Sequence, residues 1–241
     1  MASLKQTILG WVGDKFLETA TVSSVESVSE NFRIITLHAA ALTKVRWASG
    51  GKIQINVGEW NVRTYTPVSI DSETGQLRIV AYLHGKGPGS RWASEIKVGD
   101  ECQYLGPRES LAPDSKLKPV VVFGDETSLG LAATCRKLGG ENSHYHFVFE
   151  VTDVEECLKV CRELEIAESS TLVAKVSDGS HLDEVCQHLQ NTYDIVSRGQ
   201  LILTGNLKSI RSVKNNLQAR GFSSTRMKTK VYWAEGQTGI D

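Results

Sequence analysis

The chain lacks several features that would assign it at once to a class of protein. Its 27 lysines and arginines are balanced by 28 aspartates and glutamates, so no overall positive field attracts nucleic acid or an anionic membrane. Its apolar runs are short, as in residues 120–123, whereas a membrane-spanning helix needs about 20 apolar residues. Five cysteines are an odd number for a disulfide framework and fit reduced thiols in a cytoplasm.

The N-terminus also lacks the apolar core and the small-residue cleavage site of a signal peptide. What is present is an ordinary globular composition, with 40% hydrophobic and 23% charged residues among 241. This apolar content can form a buried core, and the length suits one large domain or two small ones. We expect a monomeric, cytoplasmic protein that binds no nucleic acid and inserts into no membrane. Its His and Cys pairs form no four-ligand set, so no resident metal is expected.

Residues 17–112 alternate between apolar and polar side chains with the period of a β-strand. Turn signals such as Gly50-Gly51 separate six runs. The runs are residues 16–22, 32–37, 52–57, 63–70, 76–82 and 101–105. Six strands at this spacing predict a small antiparallel β-barrel, interrupted by one helix near residues 90–96. A short amphipathic helix over residues 1–15 is expected to pack on the barrel.

After residue 114 the pattern changes to short apolar strands that alternate with helices. The expected strands are residues 120–123, 146–151, 171–176, 201–204 and 228–233, and the expected helices are residues 127–138, 154–164, 182–190 and 207–219. This alternation predicts a doubly wound parallel α/β sheet. The domains are therefore a β-barrel over residues 1–114 and an α/β domain over residues 117–241. In open α/β sheets, ligands bind beyond the carboxyl ends of the strands.

The segment Arg63-Thr64-Tyr65-Thr66-Pro67-Val68-Ser69 is the first candidate for ligand binding. On a strand, Arg63 and Tyr65 lie on one face. The Arg63 guanidinium suits a phosphate, and the Tyr65 ring suits a flat partner. The Thr66 hydroxyl can hydrogen-bond to a heteroaromatic ring. The combination fits a ligand with a phosphate tail and a flat ring; the alternative is a structural strand with Tyr65 in the core and Arg63 on the surface.

The glycine-rich segment His84-Gly85-Lys86-Gly87-Pro88-Gly89-Ser90 is the second candidate. It precedes a predicted helix, with Ser90 expected near the N-cap. Backbone N–H groups at such a helix start form an anion site. The segment does not have the spacing of a P-loop, and the alternative is an ordinary loop before a helix.

The third candidate is Gly124-Asp125-Glu126-Thr127-Ser128, where an apolar strand turns into a helix. This is the position of a nucleotide-binding turn, although the Gly-x-Gly-x-x-Gly fingerprint is absent. Thr127 or Ser128 is expected to cap the helix. The alternative for Asp125 and Glu126 is that they are first-turn acids favoured by the helix dipole.

Together these segments resemble the ferredoxin–NADP reductase superfamily. Within it, the Gly-Asp-Glu-Thr turn and the Tyr-Trp ending are similar to the siderophore-interacting proteins, which are ferric-siderophore reductases. The matching motifs are Arg63-x-Tyr65-Thr66-Pro67-x-Ser69, Gly87-Pro88-Gly89-Ser90-Arg91-Trp92, Gly99-Asp100 with Gly106-Pro107, Gly124-Asp125-Glu126-Thr127 and Tyr232-Trp233-x-x-Gly236. They cover about residues 17–239. The turn Thr204-Gly205-Asn206 departs from the pattern, since the superfamily often has Cys-Gly there and the branch has Gly-Glu.

The resemblance implies that the barrel binds FAD. The residues implied in holding it are Arg63, Tyr65, Thr66, Pro67, Ser69, His84, Gly87, Gly89 and Ser90. Arg63, Gly89 and Ser90 would hold the pyrophosphate, and Tyr65 would lie against the isoalloxazine and ribityl. Thr66 would act at the reactive ring edge as a catalytic residue, with His84 near the flavin.

The resemblance also implies that the α/β domain binds NAD(P)H as co-substrate, with Asp125 and Thr127 at the nucleotide. Trp233 would come close to the flavin face as a second catalytic residue. The implied reaction passes electrons from NAD(P)H through FAD to a ferric siderophore or another ferric chelate and releases Fe(II). The alternatives are a ferredoxin-coupled or general flavin reductase with another acceptor, and a non-enzymatic flavin-binding electron shuttle.

Two charge features bear on these alternatives. Glu150, at the end of the second strand of the α/β domain, can accept from a ribose hydroxyl and would repel a 2′-phosphate, which favours NADH. Eight basic residues between Arg198 and Lys230 could meet a nucleotide phosphate or an anionic iron chelate. Their alternative is a solvated face with neutralising neighbours.

Overall fold

The computed structural model describes residues 17–48, 50–59, 61–85, 87–114, 119–139, 145–195 and 199–237. The chain divides into two compact units, Met1–Ser110 and Leu111–Asp241. The helix predicted over residues 1–15 lies outside the described residues. Among the described helices, none has both the length and the apolar character needed to cross a membrane.

The first unit is a seven-stranded antiparallel sheet. Its strands are β1 (Glu18–Ser29), β2 (Phe32–His38), β3 (Lys52–Asn56), β4 (Val62–Tyr65), β5 (Ser69–Asp71), β6 (Gln76–Tyr82) and β7 (Glu101–Arg108), in the order β4-β3-β7-β1-β2-β6-β5. The outer strands β4 and β5 follow each other in the chain with three residues between them, so the sheet must curve until its edges meet. The predicted antiparallel barrel is confirmed, and Ile35, Ile53 and Ile79 are fully buried in its core.

Two of the predicted strands differ from those observed. The run predicted over residues 63–70 is two strands, because Pro67 has no N–H to continue a ladder and the next N–H, of Val68, donates to the carbonyl of Arg78 at 2.8 Å. The first strand is longer than predicted and extends to Ser29. It contains two register shifts, and it pairs with β7 at its start and with β2 along most of its length.

One helix of the first unit, α1 (Pro88–Glu95), follows β6. It begins two residues before the predicted start at residue 90. Gly87 is the N-cap with φ +84°, a conformation that glycine adopts without strain. Pro88 occupies the first helical turn, where a missing N–H has no consequence.

The second unit is a five-stranded sheet in which every described pairing is parallel. Its strands are β8 (Val120–Gly124), β9 (Tyr145–Val151), β10 (Ser170–Ala174), β11 (Gln200–Asn206) and β12 (Met227–Trp233), in the order β10-β9-β8-β11-β12. Its helices are α2 (Leu129–Gly139), α3 (Val154–Glu163), α4 (His181–Ile195) and α5 (Leu207–Ala219). The predicted doubly wound parallel sheet is confirmed.

The two central strands locate the ligand-binding edge of this sheet. Every residue of β8 and β11 is buried, as expected for strands covered on both faces. The chain runs from β8 outward to β9 and β10 and then returns to β11 and β12. The topological switch point therefore lies between the carboxyl ends of β8 and β11, at Gly124 and Asn206.

Candidate functional site

The structure places the arginine of β4 against the start of α1. A Cβ at Gly89 would lie 3.0 Å from Cγ of Arg63, so the helix approaches the arginine stem as closely as a glycine allows. The Arg63 guanidinium donates from Nη1 to the carbonyl of Val62 at 2.8 Å, which fixes part of its orientation. Two segments that are 26 residues apart thus form one basic site.

The N-terminus of α1 has the properties of an open anion site. No described side chain caps it, and its first turn contains no acidic residue. The early N–H groups of a helix have no partner within the helix, and the dipole makes that end positive. Ser90 is buried and lies three residues after the N-cap Gly87; its Oγ accepts the N–H of Gly85 at 3.0 Å.

Aromatic rings surround this site on two sides. The half-buried Tyr65 packs against Trp92 of α1, with ring centroids 6.1 Å apart and an angle of 48°. Burial raises the pKa of the Tyr65 hydroxyl, against the opposing charge of Arg63, so the phenol stays protonated and can donate. His84 is exposed, lies 6.1 Å from the ring of Tyr82, and places Cε1 3.9 Å from a Cβ at the N-cap residue Gly87.

The remaining predicted residues of the barrel follow the chain around the corner between β4 and β5. Thr66 is half-buried directly after β4, and Pro67 is buried at the corner. Ser69 begins β5 and pairs with Arg78 of β6. The structure therefore groups Arg63, Tyr65 and the start of α1 by direct contact. It does not itself assign a ligand to Thr66 or Ser69.

A separate cavity of about 490 Å³ lies on another flank of α1. Pro88, Arg91 and Trp92 of the helix line it, together with Val57, Gly58, Glu59 and Asn61. It also contains the carboxylates of Glu59, Glu95, Asp100 and Glu101, which would repel a phosphate. The basic site at Arg63 suits a pyrophosphate better than this cavity does.

In the second unit, Asp125 occupies the helix start that we expected to bind a nucleotide. It is fully buried, and its Oδ1 accepts the N–H of Thr127 at 2.9 Å and the Thr127 hydroxyl. Ser128 completes a capping box by accepting the N–H of Asp125 at 3.3 Å. The cap is thus Asp125, not Thr127 or Ser128, and α2 begins only after a 3₁₀ turn over Glu126–Ser128.

The other carboxylate oxygen of Asp125 binds the C-terminal tryptophan. Nε1 of Trp233 donates to Oδ2 of Asp125 at 2.7 Å. Burial raises the pKa of Asp125 to about 6, while the nearby Lys175 lowers it and Glu126 raises it; hydrogen bonds from Thr127 and Trp233 favour the ionised form. The predicted residues Asp125, Thr127 and Trp233 therefore form one hydrogen-bonded group.

Glu126 is a buried structural acid and not a solvated first-turn residue. Its Oε1 accepts the N–H of Thr152 at 2.6 Å, and its Oε2 pairs with Nζ of Lys175 at 2.5 Å. Burial alone would lower the pKa of Lys175, but the carboxylates of Glu126 and Asp125 outweigh it and raise the pKa. The contacts of Glu126 with Thr152 and Lys175 join the carboxyl ends of β8, β9 and β10, and no local sequence motif predicts them.

Glu150 has a partner within the protein. Its Oε2 is 2.8 Å from Nε2 of His181, and both side chains are buried. Nδ1 of His181 accepts the N–H of Val176 at 3.1 Å, so the proton of the neutral ring lies on Nε2 and is donated to Glu150. The expected role of Glu150 in accepting from a ribose hydroxyl conflicts with this arrangement, because its carboxylate is buried and engaged.

Three residues of the basic stretch have polar partners within the second unit. Lys208 pairs with Glu235 at 2.7 Å, Arg220 donates to Gln190 and Lys228 donates to the carbonyl of Ala112. Arg198 lies outside the described residues. Of these three contacts, the one with Glu235 neutralises a charge.

The turn at Asn206 also has a structural explanation. Oδ1 of Asn206 accepts the N–H groups of Lys208 and Ser209 at 2.7 and 3.4 Å, so the residue that replaces the expected glutamate is the N-cap of α5.

Comparison with known proteins now identifies the first unit. Residues 58–111 match the family described as the siderophore-interacting FAD-binding domain. The match covers the part of the barrel from the loop after β3 to the end of β7. The match includes Arg63, Tyr65 and the whole of α1, and it confirms the family resemblance and the prediction of FAD as cofactor.

Solved structures show the same fold over nearly the whole chain. A siderophore-interacting protein of Acinetobacter baumannii matches with a TM-score of 0.74 and 17% identity, covering 92% of each chain. The siderophore-interacting protein SipS of Aeromonas hydrophila matches with a TM-score of 0.72 and 21% identity, covering 92% of this chain and 93% of that one. Phthalate dioxygenase reductase, described as transferring electrons from pyridine nucleotides to a 2Fe–2S group, gives 0.75 at 12% identity over 93% and 71%.

A sequence relative agrees with the reductase fold. NADH-cytochrome b5 reductase 1 of Cryptococcus neoformans is 30% identical over 66 residues, which is 27% of this chain and 22% of that protein. The match thus spans about a fifth of the length of this curated relative. Its name and that of phthalate dioxygenase reductase agree with the predicted NAD(P)H.

Proposed function

We propose that this protein is an FAD-dependent reductase that takes electrons from NAD(P)H and delivers them to a ferric siderophore or another ferric chelate. One observation carries the cofactor half of this proposal. The uncapped N-terminus of α1 lies directly on Arg63, inside the segment that matches an FAD-binding domain. A basic side chain and free helix amides are what a pyrophosphate requires.

Each residue of this site has a part in holding the cofactor. Arg63 and the amides of Gly89 and Ser90 would bind the pyrophosphate, while the neutral Tyr65 presents a ring and a hydroxyl donor. The contact between Tyr65 and Trp92 keeps that ring from turning away. FAD, when bound, supplies the conversion of two-electron transfer from a nicotinamide into single-electron transfer to an acceptor. Thr66, directly after Tyr65, remains our candidate for a hydrogen bond at the reactive ring edge.

The choice of acceptor rests on similarity over almost the full length of siderophore-interacting proteins. Ferric chelates also suit such a reaction, because Fe(II) is held less tightly than Fe(III) by hard oxygen ligands. A reductase for an iron–sulfur protein is a second candidate, supported by the phthalate dioxygenase reductase structure. A flavin-binding electron shuttle is a third, because Asp125 occupies the helix start at which a nucleotide phosphate was expected.

An anaerobic titration distinguishes these candidates. The purified protein is loaded with FAD, and absorbance near 450 nm is followed while NADH and, separately, NADPH are added. A reductase is bleached by at least one of them, and a later addition of a ferric chelate restores the absorbance as Fe(II) appears in a chromogenic Fe(II) trap. If reduced ferredoxin bleaches the flavin and neither nucleotide does, the direct nicotinamide route is wrong; if nothing but dithionite does, the shuttle is favoured.

The oligomeric state, the location in the cell and the domain boundary stay predictions. We infer a monomer in the cytoplasm, with a boundary between barrel and α/β domain near residue 115. Size-exclusion chromatography with light scattering tests the monomer. Separate expression of residues 1–114 and 117–241 tests the boundary.

A further inference from the structure

The hydrogen bond between Asp125 and Trp233 lies at the switch point of the parallel sheet. It runs from the carboxyl end of β8 to the end of β12 and therefore passes over β11. A Cβ at Gly205 of β11 would lie 2.6 Å from Oδ2 of Asp125, so the carboxylate rests on the one residue of that turn without a side chain. Gly205 also has φ +96°, which a glycine adopts at low cost.

A β-bulge aims the tryptophan at this position. Gly205 of β11 pairs with Val231 of β12, but the next residue, Asn206, pairs with Trp233. Tyr232 is the extra residue, and it shifts Trp233 out of the regular alternation that Val231 follows. Bulges are uncommon in parallel pairs and often redirect a side chain beside an active site.

Three of the roughly four acceptor positions of the Asp125 carboxylate are already occupied. Oδ1 accepts two donors from Thr127 and Oδ2 accepts Nε1 of Trp233, and Asp125 is fully buried. Its negative charge at the start of the second unit's first helix would also repel a phosphate. A buried carboxylate that already accepts three hydrogen bonds acts on a ligand through the groups that donate to it.

We propose that Asp125 is a positioning residue, whose carboxylate holds the Trp233 indole over the switch-point crevice where the nicotinamide nucleotide must enter. The inference rests on the proposed reductase function and replaces the expected role of Asp125 as a nucleotide ligand. Trp233 is 38% exposed, so part of its side chain remains accessible while Nε1 is held by Asp125. A ring fixed there sets the approach of the incoming nucleotide, and hydride transfer is sensitive to misplacement of about 1 Å.

Flavin-reduction kinetics test the positioning role. FAD-loaded protein, Asp125→Asn, Trp233→Phe and the double variant are mixed with the effective nucleotide in a stopped-flow instrument. Asparagine keeps one oxygen acceptor but cannot satisfy both Thr127 and Trp233. We expect the limiting rate of flavin reduction to fall about tenfold in each single variant and no further in the double variant, with the nucleotide Kd changed less than about threefold.

Two kinetic outcomes overturn the proposal. If the effects of Asp125→Asn and Trp233→Phe multiply in the double variant, the residues act independently. If Asp125→Asn raises the Kd of the nucleotide and leaves the limiting rate unchanged, Asp125 is a ligand. If Asp125→Asn fails to fold, as judged by thermal unfolding and flavin content, the response of the Trp233 indole N–H to pH in the natural chain tests the contact, and an indole signal that does not change as Asp125 titrates overturns it.

A measurement that needs no catalytic turnover tests the contact between Asp125 and Trp233 independently of the proposed reductase function. In the ¹⁵N-labelled FAD-loaded chain, the five indole N–H groups give five signals, and Trp233→Phe identifies the one from Trp233. That signal should shift in Asp125→Asn while the other four remain. It should also titrate near pH 6 as Asp125 takes up a proton, with Lys175 and Glu126 as the charged neighbours that set the midpoint.

The two readouts fail separately. A flavin that no nucleotide reduces refutes the reductase function but leaves the indole signal to report on the contact. An indole signal of Trp233 that does not respond to Asp125→Asn refutes the anchor, whatever the enzyme does.

Discussion

Replacement of Arg63 by alanine isolates the contact that the barrel offers to an anionic cofactor. The guanidinium is half-buried, and its bond to the carbonyl of Val62 at 2.8 Å restricts its motion before any ligand arrives. Removal of a hydrogen bond to a charged group costs about 1.5–3 kcal/mol of binding free energy, and about 1.4 kcal/mol corresponds to a tenfold change in Kd. We expect Arg63→Ala to weaken FAD binding by about 10- to 100-fold.

The assay is a titration of the apo-protein with FAD, followed by quenching of flavin fluorescence at about 0.1 M salt. Arg63→Lys keeps the charge but loses the planar fork, so its loss should be smaller, about three- to tenfold. Arg46→Ala is the matched control, because Arg46 is an exposed arginine of the same unit. Equal Kd values for Arg63→Ala and Arg46→Ala would refute the assignment of the pyrophosphate to Arg63.

Three further predictions concern the second unit. Because burial raises the pKa of Asp125 to about 6, the folded chain binds this proton more tightly than the unfolded chain. This proton therefore adds about 2–3 kcal/mol to the free energy of unfolding below about pH 4, and the contribution is lost as the pH rises through about 6. Urea unfolding at several pH values should show this dependence in the natural chain and not in Asp125→Asn. Lys175→Met leaves the buried carboxylate of Glu126 without its partner and should lower the free energy of unfolding by about 2–4 kcal/mol, less than for a wholly buried pair because the lysine is 26% exposed; a change below about 0.5 kcal/mol would contradict this. Gly205→Ala should destabilise the chain by at least about 2 kcal/mol more than the control Gly221→Ala. Both glycines have positive φ, but only a Cβ at Gly205 meets a carboxylate. Equal unfolding midpoints for the two variants would contradict this prediction.

The spacing of apolar residues in the sequence predicted both the antiparallel and the parallel sheet, because the buried residues of the strands follow that spacing. The alternation of Ile53 and Ile55 with polar neighbours gave a strand of the barrel, and the unbroken apolar run of β8 gave a central parallel strand. Boundaries were less predictable where a single residue decides them. Pro67 splits a strand, and Gly87 with Pro88 starts α1 earlier than Ser90 does.

The closeness of Arg63 to the start of α1 agrees with the sequence analysis, because both candidate segments are short and each has a local chemical logic. Arg63 and Tyr65 alternate on one strand, and a glycine-rich loop opens a helix. The polar contacts at the carboxyl edge of the second sheet were not predictable, because each joins residues far apart in sequence: Glu150 with His181, and Asp125 with Trp233. No spacing rule connects such partners before the strand order is known.

The two helix starts show why a glycine followed by a helix does not by itself define a phosphate site. At α1 the capping residue is Gly87, no side chain among the described residues caps the helix, and the stem of the cationic Arg63 lies against Gly89. At the start of the second unit's first helical segment the cap is Asp125, which brings a negative charge and uses the free amide of Thr127. The start of α1 is therefore suited to an anion by its charge, whereas the carboxylate of Asp125 disfavours an anion at the start of the second unit's first helical segment. Because the Asp125 side chain already accepts the amide of Thr127, we expect a nucleotide at the second sheet to depend on other contacts, and the partly exposed indole that donates to Asp125 is one group that could supply them.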